Sequence, residues 1–427
     1  MIGTGNKVFF RGWLMVAVCL FGVSTGPAAI ILGSIGFYLN GFEKEFGWSR
    51  TEVGSAISGL MIATALFLPL AGKLVDRFGV RRVLVPSVIL FALLLLLVPL
   101  VEELWQFIFL YVSMGVLAVG TNSTAYMRLL ANWFDRRRGL AICIAGSGTG
   151  LGFAYVPVIT HYAVTAYGWR GGYVLLALIL LCITLPMVLF ILKDSPADVG
   201  LQVDGSSDEA QTDADAERQS AGDTLKQAMA RRDFWYMALT FVSVAFVLYG
   251  IIPNLVPLLE GRGYDTETAA WIVSLFGFAT FGGRILIGWL VDHFEARFVA
   301  LVFFSLSAVG MCLLAIDLPL WVVLLSAILL GGSLGAEVDM LAYLASRYFG
   351  LRCFAQIFSM LFAMVMFSMS LGPLVFGAVY DATQSYTIVV AAGVPACIFA
   401  ITMLSLLRPR SVEHLSDLRA TTTASTN

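Results

Sequence analysis

The chain has 427 residues, of which 59% are hydrophobic and 13% charged, and its net charge is −2. Soluble domains carry about 25% charged residues, and a soluble fold of this composition would expose large apolar patches. The Lys and Arg residues form short scattered clusters with no basic stripe, which excludes a nucleic-acid partner. The composition therefore predicts a protein whose surface contacts membrane lipid.

Twelve apolar segments are long enough to cross a bilayer, since about twenty apolar residues span a hydrocarbon core roughly 30 Å thick. The first follows Lys7 and Arg11 without a signal-peptide cleavage site, so we interpret it as a retained helix. Short polar loops separate the segments. The predicted spans lie near residues 12–38, 51–72, 82–101, 104–131, 139–166, 171–192, 233–259, 267–290, 297–316, 319–346, 354–378 and 385–407.

The distribution of positive charge predicts the orientation, because cytoplasmic loops retain Lys and Arg. With the amino terminus inside, all but five of the 26 Lys and Arg residues fall on or beside the cytoplasmic face. Lys44, Arg50, Arg170 and Arg262 fall outside, and Arg284 lies within the membrane. We therefore predict a multi-pass protein of the cell inner membrane with both termini in the cytoplasm.

One long polar segment predicts the domain boundaries. Residues 193–232 include DGSSDEAQTDADAERQSAG, which has almost no apolar side chains to bury and is typical of a flexible linker. Its end, from near Asp223, can form a short interfacial helix. The predicted domains are a six-helix bundle over 1–192, the cytoplasmic linker over 193–232, a second six-helix bundle over 233–407 and a disordered cytoplasmic tail over 408–427.

The two halves of the sequence repeat each other. GKLVDRFGVRR in the first half matches GWLVDHFEARF in the second at an offset of 216 residues, which aligns Gly72 with Gly288 and Asp76 with Asp292. WFDRRRGLA and YFGLRCFAQ match at an offset of 215 residues. Parallel repeats of six spans are typical of transporters with two pseudo-symmetric halves. We therefore predict an all-α membrane protein of twelve helices in two bundles, with its substrate site between them near mid-membrane.

The GKLVDRFGVRR segment (72–82) resembles the loop between the second and third helices of the major facilitator superfamily. The resemblance implies that fold, and a cytoplasmic gate in which the loop's Asp caps or pairs across a helix end while its Arg residues hold neighbouring helices. Asp76, Arg77 and Arg81 would have these roles, and the repeat adds Asp292. A solvated loop would explain the charges but not their repetition.

A narrower resemblance is to the monocarboxylate transporters and the oxalate/formate antiporters. It rests on WFDRRRGLAICIAGSGTGLG (133–152), YGWRGGYVLLA (167–177) and FGGRILIGWLVD around Arg284. In those families the arginine of the eighth helix binds the substrate carboxylate, and the resemblance implies this role for Arg284. Thr280 stands where mammalian monocarboxylate carriers have an aspartate, and the eleventh span has no lysine of the kind oxalate carriers use. A two-cation clamp for a dicarboxylate is therefore disfavoured.

Arg284 is also a functional candidate on physical grounds, because a permanent charge inside a membrane is costly unless it meets anions or water. It lies eight residues before Asp292, or about 12 Å along a helix axis. Snorkelling to the boundary is strained at this depth. We favour substrate binding over the other reading, a static ion pair.

Glu337 and Asp339 lie at a comparable depth in the tenth span, eight to ten residues before Arg347. Two positions on a helix correspond to roughly 200° of rotation, so both carboxyls cannot face one cavity squarely. Burial of an unpaired carboxyl favours its neutral form, so either residue is a candidate proton carrier or a counter-ion for Arg284. An internal ion pair without proton coupling is the alternative.

Polar aromatic and amide side chains within the spans are further candidate substrate contacts. Each could hydrogen-bond a carboxylate or hydroxyl, although helix packing also explains such residues. They are Asn122, Tyr126, Asn254, Tyr38, Tyr155 and Tyr343. The GSGTGLG run (146–152) lacks the Lys-Ser/Thr of a phosphate loop and lies in an apolar helix, so it predicts close helix packing rather than a nucleotide site.

These features together predict a monomeric secondary transporter that moves a small, monocarboxylate-like organic anion with protons by alternating access. We expect no enzymatic activity, no cofactor and no metal, since the sequence has no ATP motif, metal-ligand spacing or Ser/His/Asp arrangement. The alternative is a carrier of the same fold for a neutral, vitamin-like heteroaromatic nutrient, or a drug-efflux pump. In those cases Arg284 and Glu337 would form only a buried switch.

Overall fold

The computed structural model describes residues 5–134, 138–199, 223–316, 319–350 and 353–407. Most of the predicted linker and the whole predicted tail lie outside these ranges, so their disorder stays a prediction. The side chains of Asp76 and Asp292 also lie outside the description.

The first half contains spans 1 to 6, and every span is helical. Span 1 is interrupted and leads into a surface helix, Leu39–Phe46. Spans 5 and 6 follow each other without an intervening loop, and the non-helical backbone of Gly168 separates them. The bounds are Gly5–Ser24, Ala28–Leu32 and Ile35–Phe37 for span 1; Arg50–Phe78 for span 2; Val80–Leu97 and Val98–Leu100 for span 3; Leu104–Leu117, Val119–Thr121 and Ser123–Trp133 for span 4; and Arg138–Gly146, Gly148–Ile179, Leu180–Thr184 and Met187–Ile191 for spans 5 and 6 together.

The second half contains spans 7 to 12. A short helix, Leu225–Ala230, precedes it near the predicted position, and Thr224 caps that helix. The bounds are Arg232–Ile251, Ile252–Asn254 and Leu255–Gly261 for span 7; Thr266–His293 for span 8; Ala296–Leu314 for span 9; Leu320–Phe349 for span 10; Phe354–Thr383 for span 11; and Thr387–Ser405 for span 12. We call the face where span 1 begins and span 12 ends the terminal face, and the opposite face the distal face.

The predicted fold class is confirmed for the described ranges. Nine helices are long and apolar enough to cross a membrane, and one of them, Leu140–Ile191, has 52 residues and contains both span 5 and span 6. The bent pair Gly12–Ser24 and Ala28–Phe37 supplies span 1. Span 4 is the broken segment that begins with the shorter apolar helix Leu104–Leu117. Together these segments make twelve crossings.

The helix boundaries reproduce the internal repeat. Spans 2, 3, 4 and 5 start 216 positions before spans 8, 9, 10 and 11 in every pair, so one offset relates four consecutive helices to four others. The paired first residues are Arg50 and Thr266, Val80 and Ala296, Leu104 and Leu320, and Arg138 and Phe354. The two halves are therefore parallel copies of one unit.

Spans 1 and 4 are broken where the sequence pattern suggested continuous helices. Span 1 bends by 44° between Ser24 and Ala28, because Pro27 has no N–H to donate and its ring clashes with the preceding turn. Span 4 breaks at Asn122, whose backbone is extended and whose side-chain oxygen accepts a hydrogen bond from the Ser123 N–H. Asn122 is thus a helix cap in the middle of a span.

The predicted close packing of the GSGTGLG run is confirmed. A Cβ at Gly148 or Gly152 would collide with backbone carbonyl oxygens of span 1, and a Cβ at Gly150 would collide with the Phe281 backbone of span 8. Alternate glycines therefore let span 5 approach one helix of its own half and one of the other half.

An ion pair on the distal face belongs to the first half alone. The Arg170 guanidinium donates to both carboxylate oxygens of Glu45, at 2.8 and 2.6 Å, and the Trp169 indole donates to the same carboxylate at 2.8 Å. The hydrogen bonds from Arg170, followed by the one from Trp169, lower the pKa of Glu45. The pair joins the surface helix after span 1 to the start of span 6.

Candidate functional site

Arg284 lies in span 8 and forms a two-point ion pair with Asp339 of span 10. Its Nε donates to Asp339 Oδ2 at 2.7 Å, and its Nη2 donates to Oδ1 at 2.9 Å. The Arg284 side chain is 14% exposed and that of Asp339 is 32% exposed. The planar guanidinium fork matches the two oxygens of one carboxylate, so the site is built to hold a carboxylate that remains partly accessible.

A third hydrogen bond from Arg284 reaches the other half of the molecule. Its Nη1 donates to the Gly146 carbonyl oxygen of span 5 at 2.7 Å. A Cβ on Gly146 would lie only 3.2 Å from the guanidinium carbon, so glycine lets the cation come close. Cys143, one turn earlier on span 5, also interacts electrostatically with Arg284. The guanidinium therefore bridges the two halves.

Glu337 has different surroundings from Asp339, although both belong to span 10. It is 1% exposed, and neither carboxyl oxygen has a hydrogen-bond partner among the described residues. The rotation between the two positions thus places one carboxyl against Arg284 and the other in the packed interior.

Tyr249 of span 7 is a site residue that the sequence analysis missed. Its side chain is half-buried, and it interacts electrostatically with both Glu337 and Arg284. The sequence feature that could have identified it is a single tyrosine in the apolar run FVLYGII, one turn before the break at Pro253. Similar lone tyrosines occur in several spans, so only the packing of span 7 against span 10 distinguishes this one.

The two halves are joined at the distal face by a helix cap that crosses between them. Asp381, at the end of span 11, accepts hydrogen bonds from the Arg50 N–H at 3.0 Å and the Thr51 N–H at 2.8 Å, and from the Thr51 hydroxyl. These N–H groups belong to the first turn of span 2, where helices leave donors unpaired and favour negative charge. A carboxylate of the second half therefore completes a helix of the first.

Further hydrogen bonds between the halves lie between the level of Arg284 and the distal face. Asn40 donates to Glu260 at 2.8 Å, and Tyr162 donates to Glu267 at 3.2 Å. Deeper in the interface, the Ser58 hydroxyl donates to the Ser370 carbonyl, and the Ser274 hydroxyl donates to the Ala154 carbonyl. Span 2 thus packs on span 11 and span 5 on span 8, and the distal face is closed above Arg284.

Three of the four predicted tyrosines lie within the first half. Tyr38 is fully buried and stacks on Tyr173 with ring centroids 4.3 Å apart. Tyr126 is fully buried, and a Cβ on Gly22 would collide with its ring. The Tyr155 hydroxyl lies 3.2 Å from that of Ser24. Their roles in substrate binding stay predictions.

The remaining predicted contacts are partnered by other groups. The Asn254 side chain donates to the Gly250 carbonyl at 2.8 Å and accepts from the Tyr386 hydroxyl at 3.0 Å. The Tyr343 hydroxyl donates to the Val291 carbonyl at 3.4 Å. Asn122 caps the second part of span 4, as described above. Of the predicted residues, the structure brings Asp339 into direct contact with Arg284.

The predicted gate residues that are described lie at the terminal face. The Arg77 guanidinium lies over the Phe78 ring, 5.2 Å from its centroid. The Arg81 N–H donates to Asp194 Oδ1 at 2.8 Å, and its side chain donates to the Leu189 carbonyl near the end of span 6. Arg81 thus ties the loop after span 2 to span 6, through an aspartate that the sequence analysis did not single out. Gating by these residues stays a prediction.

Two parallel six-helix halves that close on one face above an intramembrane charge pair define a membrane transporter. The sequence profile of the Major Facilitator Superfamily matches residues 12–352 and 257–425. The chain therefore belongs to this superfamily, and the resemblance read from GKLVDRFGVRR is confirmed.

Known relatives agree with this assignment at low identity. The glycerol-3-phosphate transporter of Bacillus subtilis is 25% identical over 62% of this chain, and the match spans 64% of that transporter's length. The gallate transporter of Pseudomonas putida is 26% identical over 71% of this chain and 70% of its own length. Monocarboxylate transporter 12 of Rattus norvegicus is 24% identical over 93% of this chain and 84% of its own length.

A solved structure shares the fold. The crystal structure of the nucleoside transporter NupG superposes with a TM-score of 0.71, and the match covers 93% of this chain and all of that chain at 14% identity. At this identity the likeness shows the architecture alone.

Proposed function

We propose that the protein is a secondary transporter that moves a small organic anion, monocarboxylate-like in chemistry, together with protons across the cell inner membrane. The observation that carries the proposal is the Arg284 guanidinium at the seam between the halves, held by a carboxylate at 2.7 and 2.9 Å. A substrate carboxylate presents the same two oxygens to the same fork. It can therefore take the place of Asp339.

Charge balance supports proton coupling. The Arg284 and Asp339 pair is neutral as a unit, and an arriving anion adds one negative charge to a region of low dielectric. Removing one partner of a buried pair costs about 3–5 kcal/mol, because the other charge is left uncompensated. A proton on the displaced Asp339 restores neutrality, so anion and proton are expected to travel together.

The names of the relatives support an anionic substrate. Three of them are named for glycerol 3-phosphate, gallate and monocarboxylates, which are organic anions at neutral pH. Each of these anions needs a positively charged partner in its binding site, and Arg284 supplies a permanent positive charge.

Transport assays with the purified protein test this function. Proteoliposomes are given labelled lactate, pyruvate, benzoate and glycerol 3-phosphate, and neutral nicotinamide and thymine, with and without an imposed proton gradient. We expect accumulation of at least one monocarboxylate that depends on the gradient. Uptake confined to the neutral compounds would contradict the proposal and favour a carrier for neutral heteroaromatic nutrients or drugs.

The variant Arg284→Ala is expected to abolish this uptake. Because it leaves Asp339 unpaired, the double variant Arg284→Ala/Asp339→Ala serves as a second test without an orphan charge. Both are first checked for a monodisperse elution profile in detergent. Wild-type uptake by the well-folded double variant would remove the role of Arg284 and the anion argument with it.

A further inference from the structure

We propose that Tyr249 is a substrate-binding residue, whose hydroxyl donates a hydrogen bond to the anion held at Arg284. The inference rests on the proposed anion site and adds a second ligand from span 7 to it.

The first observation is that the Tyr249 hydroxyl is available. Its side chain is half-buried, and it has no hydrogen-bond partner among the residues that the structure describes. By contrast, the buried phenols of Tyr111 and Tyr173 satisfy each other at 2.7 Å. The hydroxyls of Tyr38 and Tyr126 also lack a partner in the described part of the chain, but these rings are fully buried in the first half. Tyr249 differs because it is partly exposed and interacts with a cationic site, so its free donor can reach the transported molecule.

The second observation is that the side chains of Tyr249, Arg284 and Glu337 point towards one another. Side chains tilt towards the amino-terminal end of their own helix. Spans 8 and 10 start at the distal face, so Arg284 and Glu337 tilt towards that face. Span 7 starts at the terminal face, so Tyr249 tilts the other way. The phenol, the guanidinium and the buried carboxyl therefore approach one another where span 7 packs against span 10, in agreement with the electrostatic interactions of Tyr249 with Arg284 and Glu337.

The third observation concerns charge. Glu337 is 1% exposed and has no hydrogen-bond partner among the described residues, and such burial favours the neutral form of a carboxyl. A neutral Glu337 does not repel an anion that lies between Arg284 and Tyr249. The carboxylate can then bind the Arg284 fork with both oxygens while one of them also accepts a hydrogen bond from Tyr249.

Uptake kinetics of Tyr249→Phe test the inference, because this change deletes one oxygen and keeps the ring. The substrate is whichever of the labelled anions above the wild-type protein accumulates best. We expect its KM to rise roughly tenfold, because a hydrogen bond to a charged group is lost, while the maximal rate stays within about twofold. The matched control is Tyr236→Phe on the same span, near the terminal face, which is expected to leave KM unchanged. An unchanged KM in Tyr249→Phe would overturn the inference.

The second measurement is how well bound anion protects Cys143 from a thiol reagent. A purely structural role of Tyr249 would not change the anion concentration needed for this protection. This thiol lies beside Arg284 and can be labelled with anionic methanethiosulfonate ethylsulfonate in a background lacking Cys182, Cys312 and Cys353. The same anion should protect Cys143, with a half-protecting concentration roughly tenfold higher in Tyr249→Phe. Equal protection in both proteins contradicts a Tyr249 contact but leaves the Arg284 site standing. If the anion still protected Cys143 and was still taken up in the Arg284→Ala variant, the proposed function itself would be wrong.

Discussion

Asp339 and Glu337 are two positions apart on span 10, yet their surroundings assign them different chemistry. Asp339 is paired and 32% exposed, so solvent and substrate can reach it. Glu337 is 1% exposed and has no hydrogen-bond partner. A carboxyl that is charged while paired and takes up a proton when an anion displaces it can couple a proton to anion binding. We therefore propose Asp339 as the coupling residue and Glu337 as a neutral neighbour.

Replacing these carboxyls one at a time tests that division. Asp339→Asn removes the titratable group, so we expect it to lose accumulation driven by a proton gradient while still exchanging labelled for unlabelled anion at equal pH. Glu337→Gln replaces a neutral group by another of the same shape, and should keep more than half of the driven accumulation. Uptake of both variants under an imposed gradient is the measurement. Driven accumulation by Asp339→Asn would exclude Asp339, and its loss in Glu337→Gln alone would assign coupling to Glu337.

At the scale of helices, Asp381 differs from an ordinary helix cap because it belongs to the other half of the molecule. Asp265 is the useful comparison. It caps its own helix, span 8, by accepting from the Thr268 N–H at 2.9 Å and hydroxyl at 2.7 Å. The hydrogen bonds from the Thr268 side chain and backbone lower the pKa of Asp265. Both residues stabilise a first turn, but only the cap made by Asp381 must break when the distal face opens.

We predict that Asp381→Ala shifts the carrier towards a state open at the distal face. Loss of a cap costs about 1 kcal/mol, which corresponds to a roughly fivefold change in the ratio of open to closed states. The measurement is the labelling rate of Ser58→Cys, a buried position in the interface, by an impermeant thiol reagent added from the distal side. Asp265→Ala is the matched control and should leave this rate unchanged. Equal rates in the two variants would show that the crossing cap does not hold the halves together.

The limits of the unbroken spans were predictable from sequence to within six residues, because the thickness of the bilayer sets the length of apolar segments. The largest differences are at the ends of spans 2 and 11, where the helices continue past the apolar segment to Phe78 and Thr383. The predicted 267–290 became Thr266–His293, and 319–346 became Leu320–Phe349. Arg284 was recognisable as an isolated intramembrane charge. Its contact with the Gly146 carbonyl and the cap made by Asp381 were not predictable, since they depend on how one half lies against the other. Tyr249 was missed for the same reason.

At the scale of the whole molecule, the two contacts between the halves are copies of one another. The offset of 216 residues carries span 2 onto span 8 and span 5 onto span 11. It therefore exchanges the span 2–span 11 contact with the span 5–span 8 contact. Arg284 lies at the deep end of the second contact. An interface with this internal symmetry can separate at one face while the halves rotate about its middle, as alternating access requires.

Fastening the distal face should therefore stop transport in a reversible way. In a background lacking the exposed native cysteines, Asn40→Cys and Glu260→Cys replace a pair of side chains that meet across the halves at 2.8 Å. Joining the two thiols with a bis-methanethiosulfonate linker should reduce uptake to background, because the halves can no longer separate there, and a reductant should restore it. Glu45→Cys with Arg170→Cys is the matched control, since that pair meets at the same face but within one half. Linking the control pair should leave uptake intact. Undiminished uptake with the first pair fully linked would mean that the substrate does not pass between the halves at the distal face.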